Sequence, residues 1–422
     1  MTDEEFDSDQ VNTTISSDTV VHVTNCQLII KFLWLIAVQI TQTKGVAVKG
    51  AMSDCASALV FALSEIKQRY EFENIVILLS GGVDTAAVME ANAVLQQKGD
   101  NCKMDIKHAV TVLTSELATD RPYASPVAIR HGVSHHVLDV SLFDVLEMLP
   151  FCVHTLKTYD GMTLRNSIVI ALAMRKAIDL GATVVLTGDG ADELMGGYSF
   201  HWGTTDEVVW NEKRNELATK MNFSTPAMAE ALGLKAAVSP FLEPSFIEWV
   251  TTSTGRSDCI DEMPIELSPT TERIMHITGK VCLRKAFPDS PSANRRKDPI
   301  ELGSGATDLN VSKGGGVFFG ELLGMDLSPE GQQIFETEKI RLLSEEGVTI
   351  KDVEHLYYYR QFLKSFPPAD SKGIGEDNRL LAGQGIDIER FTIDACVGCG
   401  YKLRKPDDMF CYVCGTWPAR II

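Results

Sequence analysis

A short apolar run that opens directly into a glycine turn constrains this chain most. The segment 75–79, Ile-Val-Ile-Leu-Leu, is rich in β-branched residues and has no polar side chain. Such runs are typical of a strand that helices bury on both faces of a parallel sheet. Ser80-Gly-Gly-Val-Asp-Thr85 follows at once, and AAVMEANAVLQQKG then has the pattern of a helix that ends at Gly99. The sequence therefore predicts an α/β fold in which strand, glycine turn and helix form an anion-binding site.

The composition is that of a folded, acidic chain. Its 422 residues are 45% hydrophobic, enough to fill two or three domains. The 57 Asp and Glu against 39 Lys and Arg give a formal charge of -18, which argues against a protein that mainly coats nucleic acid or an anionic membrane. The first ten residues lack the basic region of a secretory signal, and the apolar segment 26–40 is shorter than the ~20 residues that cross a bilayer. We expect a cytoplasmic protein with no membrane partner.

Strands and helices alternate after residue 50, as a parallel α/β sheet requires. Further strands are predicted near 109–113, 136–140 and 183–186, and a long helix near 164–180. Beyond residue 200 the pattern is mainly helical, with breaks at prolines and at a glycine-rich segment. We predict four parts: an N-terminal segment (1–49), an α/β domain with a helical C-terminal half (50–370), a polar linker (371–389) and a cysteine-rich tail (390–422).

The first glycine loop has the residues that a phosphate group needs. Glycines let backbone N–H groups and the helix N-terminus point at one anion, and the hydroxyls of Ser80 and Thr85 add donors. Asp84 beside them is suited to holding a magnesium ion. The sequence has no GxxxxGK[ST] motif, which disfavours transfer of a terminal phosphate by a Walker-type site. A plain tight turn after a strand is the alternative.

A second loop, Gly188-Asp-Gly-Ala-Asp-Glu-Leu-Met-Gly-Gly-Tyr198, again follows a predicted strand. Asp189, Asp192 and Glu193 crowd a turn at the carboxyl edge of the sheet, where α/β proteins bind ligands. Without a counter-charge these acids would repel one another, so a bound cation is the favoured interpretation. The alternative is a solvated acidic turn.

Together the loops resemble the synthetase domain of the asparagine synthetase and β-lactam synthetase family, within the PP-loop ATP pyrophosphatase superfamily. That family typically reads SGG(L/V)D(S/T) and GEGADE(L/V)FGGY, where this chain has SGGVDT and GDGADELMGGY. Three more segments are similar and occur in the same order, at 159–167, 295–305 and 357–367. The resemblance covers about residues 50–370 and implies a parallel-sheet PP-loop fold of the adenine nucleotide α-hydrolase type.

The resemblance implies ATP-dependent amide synthesis through an acyl-adenylate, with pyrophosphate and AMP as products. By position it assigns ATP binding to Ser80, Gly81, Gly82, Asp84, Thr85 and Gly188. It assigns Mg2+ to Asp84 and Asp192, and it makes Lys297 the lysine that neutralises phosphate and oxyanion charge. A solvated surface charge is the alternative for Lys297, because Lys297 continues a basic run.

Three departures from the family pattern bear on the substrates. The family's catalytic glutamate, the base toward the attacking amine, is here Asp189, one methylene shorter. The family's GxEARVPFL segment has Lys235 and Ala237 in place of an acid and an arginine, and an extra Ser239. These changes leave the carboxylate and the amine open. Thr2 stands where glutamine-dependent members have a cysteine, so the expected nitrogen source is ammonium, a separate ammonia-supplying subunit or an amine on the substrate.

The tail carries two CxxC pairs, Cys396/Cys399 and Cys411/Cys414, each followed by glycine. Four thiolates in this spacing complete a tetrahedral shell, which predicts a structural zinc ribbon rather than a disulfide framework. Iron bound as in rubredoxin is the other metal, and four free thiols are the alternative without one. A closed shell leaves no open position, so we expect Zn2+ to serve structure or recruitment rather than catalysis.

The favoured function is thus that of an amide-forming ligase that takes ATP, a small carboxylate and ammonia or an amine. One alternative is a PP-loop tRNA-modifying enzyme whose ribbon grips RNA through Lys402, Arg404 and Lys405, which the acidic balance disfavours. The other is a non-catalytic adaptor, disfavoured by the intact Asp84, Asp192 and Lys297. Assembly into a homo-oligomer stays open.

Overall fold

The computed structural model describes residues 54–97, 103–221, 223–268, 270–309, 315–367, 390, 394–405 and 407–421. The predicted N-terminal segment (1–49) and linker (371–389), and with them the apolar segment 26–40, lie outside these residues. Residues 54–422 group into one compact unit, so the α/β part and the cysteine-rich tail are described together.

A five-stranded parallel sheet lies at the centre. Its strands are β1 (Ile75–Leu78), β2 (His108–Leu113), β3 (Ser134–Asp139), β4 (Val184–Leu186) and β5 (Ala236–Val238). Across the sheet they run β3-β2-β1-β4-β5, so β1 pairs with both β2 and β4. The chain first adds β2 and β3 on one side of β1 and then β4 and β5 on the other. This reversal of strand order leaves a crevice at the carboxyl ends of β1 and β4. The predicted α/β class is confirmed.

Five helices accompany the sheet: α1 (Cys55–Arg69), α2 (Val83–Gln97), α3 (Arg121–His131), α4 (Leu142–Leu156) and α5 (Gly161–Asp179). Side chains fix several of their starts. Asp54 accepts from the Ser57 N–H at the start of α1, and Asp160 accepts from the Thr163 N–H at the start of α5. Such caps satisfy backbone donors that the first helical turn leaves unpaired.

The second half is mainly helical, as predicted. Its α-helices are α6 (Ala191–Leu194), α7 (Glu207–Lys220), α8 (Ser224–Ala231), α9 (Pro244–Ser253), α10 (Arg256–Cys259), α11 (Val281–Ala286), α12 (Ile300–Gly303), α13 (Gly315–Leu323), α14 (Pro329–Arg341) and α15 (Val353–Ser365). Turns of 3-10 helix occupy Ser199–His201, Pro240–Leu242 and Ala306–Leu309, and a π-helical turn occupies Leu342–Glu346. An antiparallel hairpin of β6 (Asp261–Ile265) and β7 (Ile274–Thr278) was not predicted.

The cysteine-rich tail packs into the same core as the helices. Tyr159 is fully buried between His355, Tyr359 and Phe362, and the ring of Phe362 also contacts Tyr401 of the tail. Aromatic contacts of this kind add to the free energy gained from burying the rings. Among the described residues no helix is both long and apolar enough to cross a bilayer.

Candidate functional site

The first glycine loop lies between β1 and α2 and is closed by its own hydroxyls. The Ser80 Oγ accepts from the Gly82 N–H at 3.2 Å and lies 3.2 Å from the Thr85 Oγ1, which donates to the Ser80 carbonyl at 3.1 Å. A Cβ on Gly81 would lie 2.6 Å from the Asp120 carbonyl oxygen, so only glycine fits there. The loop leads directly into the N-terminus of α2, where backbone N–H groups favour an anion.

The second loop touches the first. A Cβ on Gly188, just after β4, would lie 2.9 Å from the Asp84 Cβ and 3.3 Å from the Thr85 backbone nitrogen. Gly188 therefore permits the two loops to approach at the crevice between β1 and β4. Asp192 follows in the single turn of α6. The structure brings together the residues that the sequence assigned to ATP and magnesium.

A buried lysine that the sequence reasoning missed joins the two loops. The Lys280 Nζ lies 2.7 and 2.6 Å from the two Asp84 carboxylate oxygens and 2.7 Å from the Asp192 Oδ1. The Lys280 side chain is 1% exposed. Its backbone has φ of 60°, a left-handed conformation that is uncommon outside glycine. The two carboxylates therefore converge on one cation, and that cation belongs to the protein itself.

Lys297 completes a network of two acids and two ammonium groups. Its Nζ lies 2.9 Å from the Asp192 Oδ2. Burial opposes the charge on both residues, but their attraction outweighs it, so the pKa of Asp192 is held well below its usual range and the pKa of Lys297 is raised. Lys297 is therefore part of the site and not a solvated surface charge.

Neighbouring basic residues anchor the lysine-bearing segment rather than join this network. Arg295 is buried and donates to the Asp120 carboxylate at 2.7 Å and to the Thr119 hydroxyl at 2.9 Å. Its guanidinium also lies 4.7 Å from the centre of the Tyr123 ring. Arg296 pairs with Asp298 at 3.0 Å. Of the basic run 295–297, Lys297 alone pairs with an acid of the two loops.

Asp189 lies at the carboxyl edge beside this network. Burial raises its pKa, against hydrogen bonds from Thr225 and Thr187 that favour the carboxylate. The Thr187 hydroxyl donates to the Asp189 Oδ2 at 3.1 Å, and the Ser239 hydroxyl donates to the Asp189 carbonyl at 2.7 Å. The inserted Ser239 thus fixes the backbone of Asp189.

Lys235, by contrast, lies just before the amino end of β5 and pairs with Glu73, and its side chain is exposed. Because the crevice is at the carboxyl ends of the strands, this charge change lies at the opposite edge of the sheet.

Glu193, the third acid of the second loop, is half-buried and accepts from the Tyr198 hydroxyl at 2.6 Å. Burial raises the pKa values of both groups.

The four cysteines of the tail form one buried cluster. Their sulfurs lie within 4.8 Å of one another, with 3.7 Å between Cys396 and Cys414 and between Cys399 and Cys411. Tetrahedral zinc with ~2.3 Å bonds places its sulfurs about 3.8 Å apart. Hydrogen bonds among the four thiols lower the pKa of Cys396 and raise the pKa values of Cys399 and Cys414.

Glycines shape the turn after each pair. Gly400 and Gly415 have φ of 76° and 71°, and their N–H groups donate to the Cys396 and Cys411 carbonyls, each at 2.8 Å. Both turns thus need the left-handed conformation that glycine adopts freely. The predicted four-cysteine ribbon is confirmed as a cluster of the right geometry for a metal.

Comparison with known proteins identifies the sheet region. Residues 67–237 match the family model described as asparagine synthase. This region of the chain is therefore similar to asparagine synthase domains. The match includes both glycine loops, Asp84 and Asp192, and ends within β5 before Lys280 and Lys297. The resemblance inferred from the motifs is thereby confirmed.

Plant asparagine synthetases are among the relatives. Glutamine-hydrolysing asparagine synthetase 2 of Lotus japonicus is 28% identical over 222 residues, which are 50% of this chain and 35% of that protein. Glutamine-hydrolysing asparagine synthetase 1 of Arabidopsis thaliana is 30% identical over 233 residues, again 50% of this chain and 35% of that protein. The chain thus spans about a third of the length of these relatives.

A solved structure, a predicted subunit of a tRNA methyltransferase from Methanocaldococcus jannaschii, covers 53% of this chain and 93% of its own. The TM-score is 0.24 at 13% identity, too low to bear on the fold or function of this chain.

Proposed function

We propose that this protein is an ATP-dependent amide-forming synthetase that activates a small carboxylate as its acyl-adenylate and transfers the acyl group to ammonia or an amine. One observation carries the proposal. Asp84 and Asp192, from two glycine loops, both lie within 2.6–2.7 Å of the Lys280 ammonium at the crevice between β1 and β4. The match to the asparagine synthase family model, which includes both loops, supports the same reaction class.

The residues fit a magnesium ion that arrives with ATP. Two carboxylates that reach one ammonium nitrogen can also reach one divalent cation, and Mg2+ is typically held by one or two carboxylates together with substrate phosphates. When bound, magnesium would neutralise phosphate charge and orient the pyrophosphate leaving group. Asp84 and Asp192 would hold it, while Ser80, Gly81, Gly82, Thr85 and Gly188 line the phosphate-binding turn.

In the first step a carboxylate oxygen of the substrate attacks the α-phosphorus of ATP. A phosphorus–oxygen bond forms as the bond to the β-phosphate oxygen breaks, and pyrophosphate leaves with the electron pair. Lys280 and Lys297 are the cations of this site, and their ammonium groups stabilise the charge that builds on the phosphate oxygens. Lys280 exchanges a carboxylate partner for a phosphate oxygen when the nucleotide binds.

In the second step the nitrogen lone pair attacks the acyl carbon, and AMP leaves with the electrons of the acyl–oxygen bond. The nitrogen must lose a proton, and Asp189 is the acceptor we assign. Its raised pKa strengthens it as a base, and Thr187 and Ser239 fix its position. Lys297, which pairs with Asp192 of the same loop, stabilises the oxyanion of the tetrahedral intermediate.

Exchange of labelled pyrophosphate into ATP tests the proposal. A panel of carboxylic acids that includes aspartate is assayed with magnesium. At least one acid should support exchange, and Asp84→Asn and Asp192→Asn should each lower the rate ~100-fold or more. Asp179→Asn, at the far end of α5, is the matched control and should leave the rate unchanged. Formation of ADP and phosphate instead of AMP and pyrophosphate would overturn the proposal.

We also propose that the four-cysteine cluster binds one zinc ion, supported by its sulfur spacing. Metal analysis of the purified protein should give one zinc per chain, and Cys411→Ser should lower that content. Iron in place of zinc would show that the cluster is a metal site and that the proposed metal is wrong. Metal-free protein with wild-type stability would argue that four thiols suffice.

A further inference from the structure

The second cysteine turn is bonded to the rest of the protein through three consecutive backbone carbonyls. These carbonyls accept from the Tyr159 N–H at 2.7 Å, from the His355 Nε2 at 3.2 Å and from the Lys351 Nζ at 2.7 Å, at Val413, Cys414 and Gly415 respectively. The His355 Nδ1 accepts from a backbone N–H, which leaves the proton on Nε2 for the bond to Cys414. The conformation of this turn therefore sets the positions of two other segments.

Those two segments meet at one arginine. Tyr159 and the N-cap residue Asp160 immediately precede α5, which carries Arg165 in its first turns. His355 lies in α15 next to Glu354, which accepts from Arg165 at 2.7 Å and is 1% exposed. A Cβ on Gly161 would lie 3.3 Å from the Arg165 guanidinium, so the start of α5 packs directly on it. Arg165 is thus held from both elements that contact the cysteine turn.

A second nitrogen of the Arg165 guanidinium contacts the segment that carries Lys297. Its Nε donates at 2.8 Å to the carboxylate of Glu301, which lies in α12, four residues after Lys297. The opposite side of α12 is fixed through its backbone, because the Ser304 carbonyl accepts from the Thr114 N–H at 2.8 Å and the Gly303 carbonyl accepts from the Asp120 N–H at 3.0 Å. Arg165 therefore anchors α12 through the Glu301 side chain, in addition to the bonds of Thr119 and Arg296 to Asp298.

We propose that metal binding by the four-cysteine cluster positions the segment 297–305, and with it Lys297, through Glu354 and His355, Arg165 and Glu301. The ribbon is then a positioning element for the ATP site, not only a stabilising cap. A charge-assisted pair in a buried setting has fixed geometry, so a shift of one partner is passed to the next. The inference rests on the proposed metal and on the proposed role of Lys297.

Hydrogen exchange of the full-length, metal-loaded protein tests the coupling without any need for turnover. Removing the metal with a chelator should raise exchange in peptides that cover 297–305 by ~10-fold and weaken the binding of a non-hydrolysable ATP analogue by a similar factor. Glu301→Gln should raise exchange in the same peptides with the metal still bound. In that variant, metal removal should add little, because the connection is already broken.

Two further variants keep the test decisive. Arg175→Gln, on the same helix as Arg165, removes an exposed pair with Glu147 of α4 and should leave the effect of metal removal intact. If the metal-free protein unfolds, Lys351→Met removes one bond to the cysteine turn with the metal in place. Its effect on 297–305 exchange should then be non-additive with that of Glu301→Gln.

The outcomes separate this inference from the proposed function. Exchange that rises only in the tail and in α15, or strictly additive effects, would overturn the coupling whether or not the protein makes an amide. Absence of a bound metal would overturn it as well. Failure of every acid to support pyrophosphate exchange would overturn the proposed function and leave the coupling intact.

Discussion

Lys280 and Asp84 are 196 residues apart in sequence, yet the Lys280 ammonium lies within 2.7 Å of both Asp84 carboxylate oxygens. The lysine is buried, and its charge is met by Asp84 on one side and Asp192 on the other. Removing either partner of a buried pair leaves an uncompensated charge, which costs far more than the pair itself is worth. This relationship makes Lys280 a structural residue of the site, and the proposed function would add phosphate binding to that role.

Lys280→Met should therefore lower both stability and activity. Two carboxylates would face each other with Lys297 alone to balance them, and we expect a loss of about 3–5 kcal/mol in the free energy of unfolding. Lys339→Met, which breaks an exposed pair with Glu336, should cost under about 1 kcal/mol. Urea denaturation measures both. Equal losses in the two variants would show that Lys280 carries no special charge balance.

Asp189→Asn should separate the two half-reactions. Adenylation does not require a base at the amine, so pyrophosphate exchange should stay near the wild-type rate. Amide formation should fall ~100-fold or more, because the amide side chain cannot accept the proton. Asp189→Glu keeps the carboxylate and should retain most of the product. A parallel loss of exchange in Asp189→Asn would instead give this residue a role in binding ATP.

Gly188→Ala should push the two loops apart. The new Cβ would lie 2.9 Å from the Asp84 Cβ and 3.2 Å from the Thr85 Cγ2, closer than side chains normally pack. We expect ATP-analogue affinity to fall ~10-fold and stability to fall by about 1–3 kcal/mol. Gly203→Ala, whose Cβ would meet nothing within 4 Å, is the control. Calorimetric titration with the analogue measures the affinity, and unchanged binding in Gly188→Ala would contradict the close approach.

Glu354 should give the stability a pH dependence. Burial raises its pKa to about 7, against the opposing effect of Arg165, whereas the unfolded chain has a glutamate pKa of about 4.3. The folded state then binds this proton more tightly, so the free energy of unfolding falls as the pH rises from about 4.3 to about 7 and levels off above.

Glu354→Gln should lower stability at every pH but remove this part of the slope between pH 5 and 7. Glu147→Gln, at an exposed pair, should keep the slope. Urea denaturation at several pH values compares the three proteins. A slope in Glu354→Gln equal to that of the wild type would assign the pH dependence to another group.

The sequence predicted the parts of the site that are local. The run 75–79 and the turn that follows it specify strand, loop and helix within a few residues, and the four cysteines have the spacing of a metal site. Lys280 gave no such signal, because it precedes a short helix with no recognisable motif. Its partners, Asp84 and Asp192, are distant in sequence and meet it only in the folded protein. The partners of Arg165 were equally hidden, since Glu301 and Glu354 come from distant segments.

The hairpin β6–β7 was missed for a different reason. Its strands are short, β6 contains Pro264, and both have mostly exposed side chains. Neither strand therefore shows the apolar run or the clear alternation on which strand prediction depends. By contrast, the strands of the central sheet are buried on both faces, apart from the edge strands β3 and β5, and the apolar runs of β1, β2 and β4 follow from that burial.

The two ammonium groups and two carboxylates at the crevice have equal and opposite formal charges. A free divalent cation that approaches the protein alone finds these acids already neutralised, so little attraction remains for it. If nucleotide binds here as proposed, its phosphates would attract the two lysines and release carboxylate oxygens as metal ligands. Under the proposed function, metal and nucleotide would then bind together, and the protein without nucleotide would bind free divalent cations only weakly.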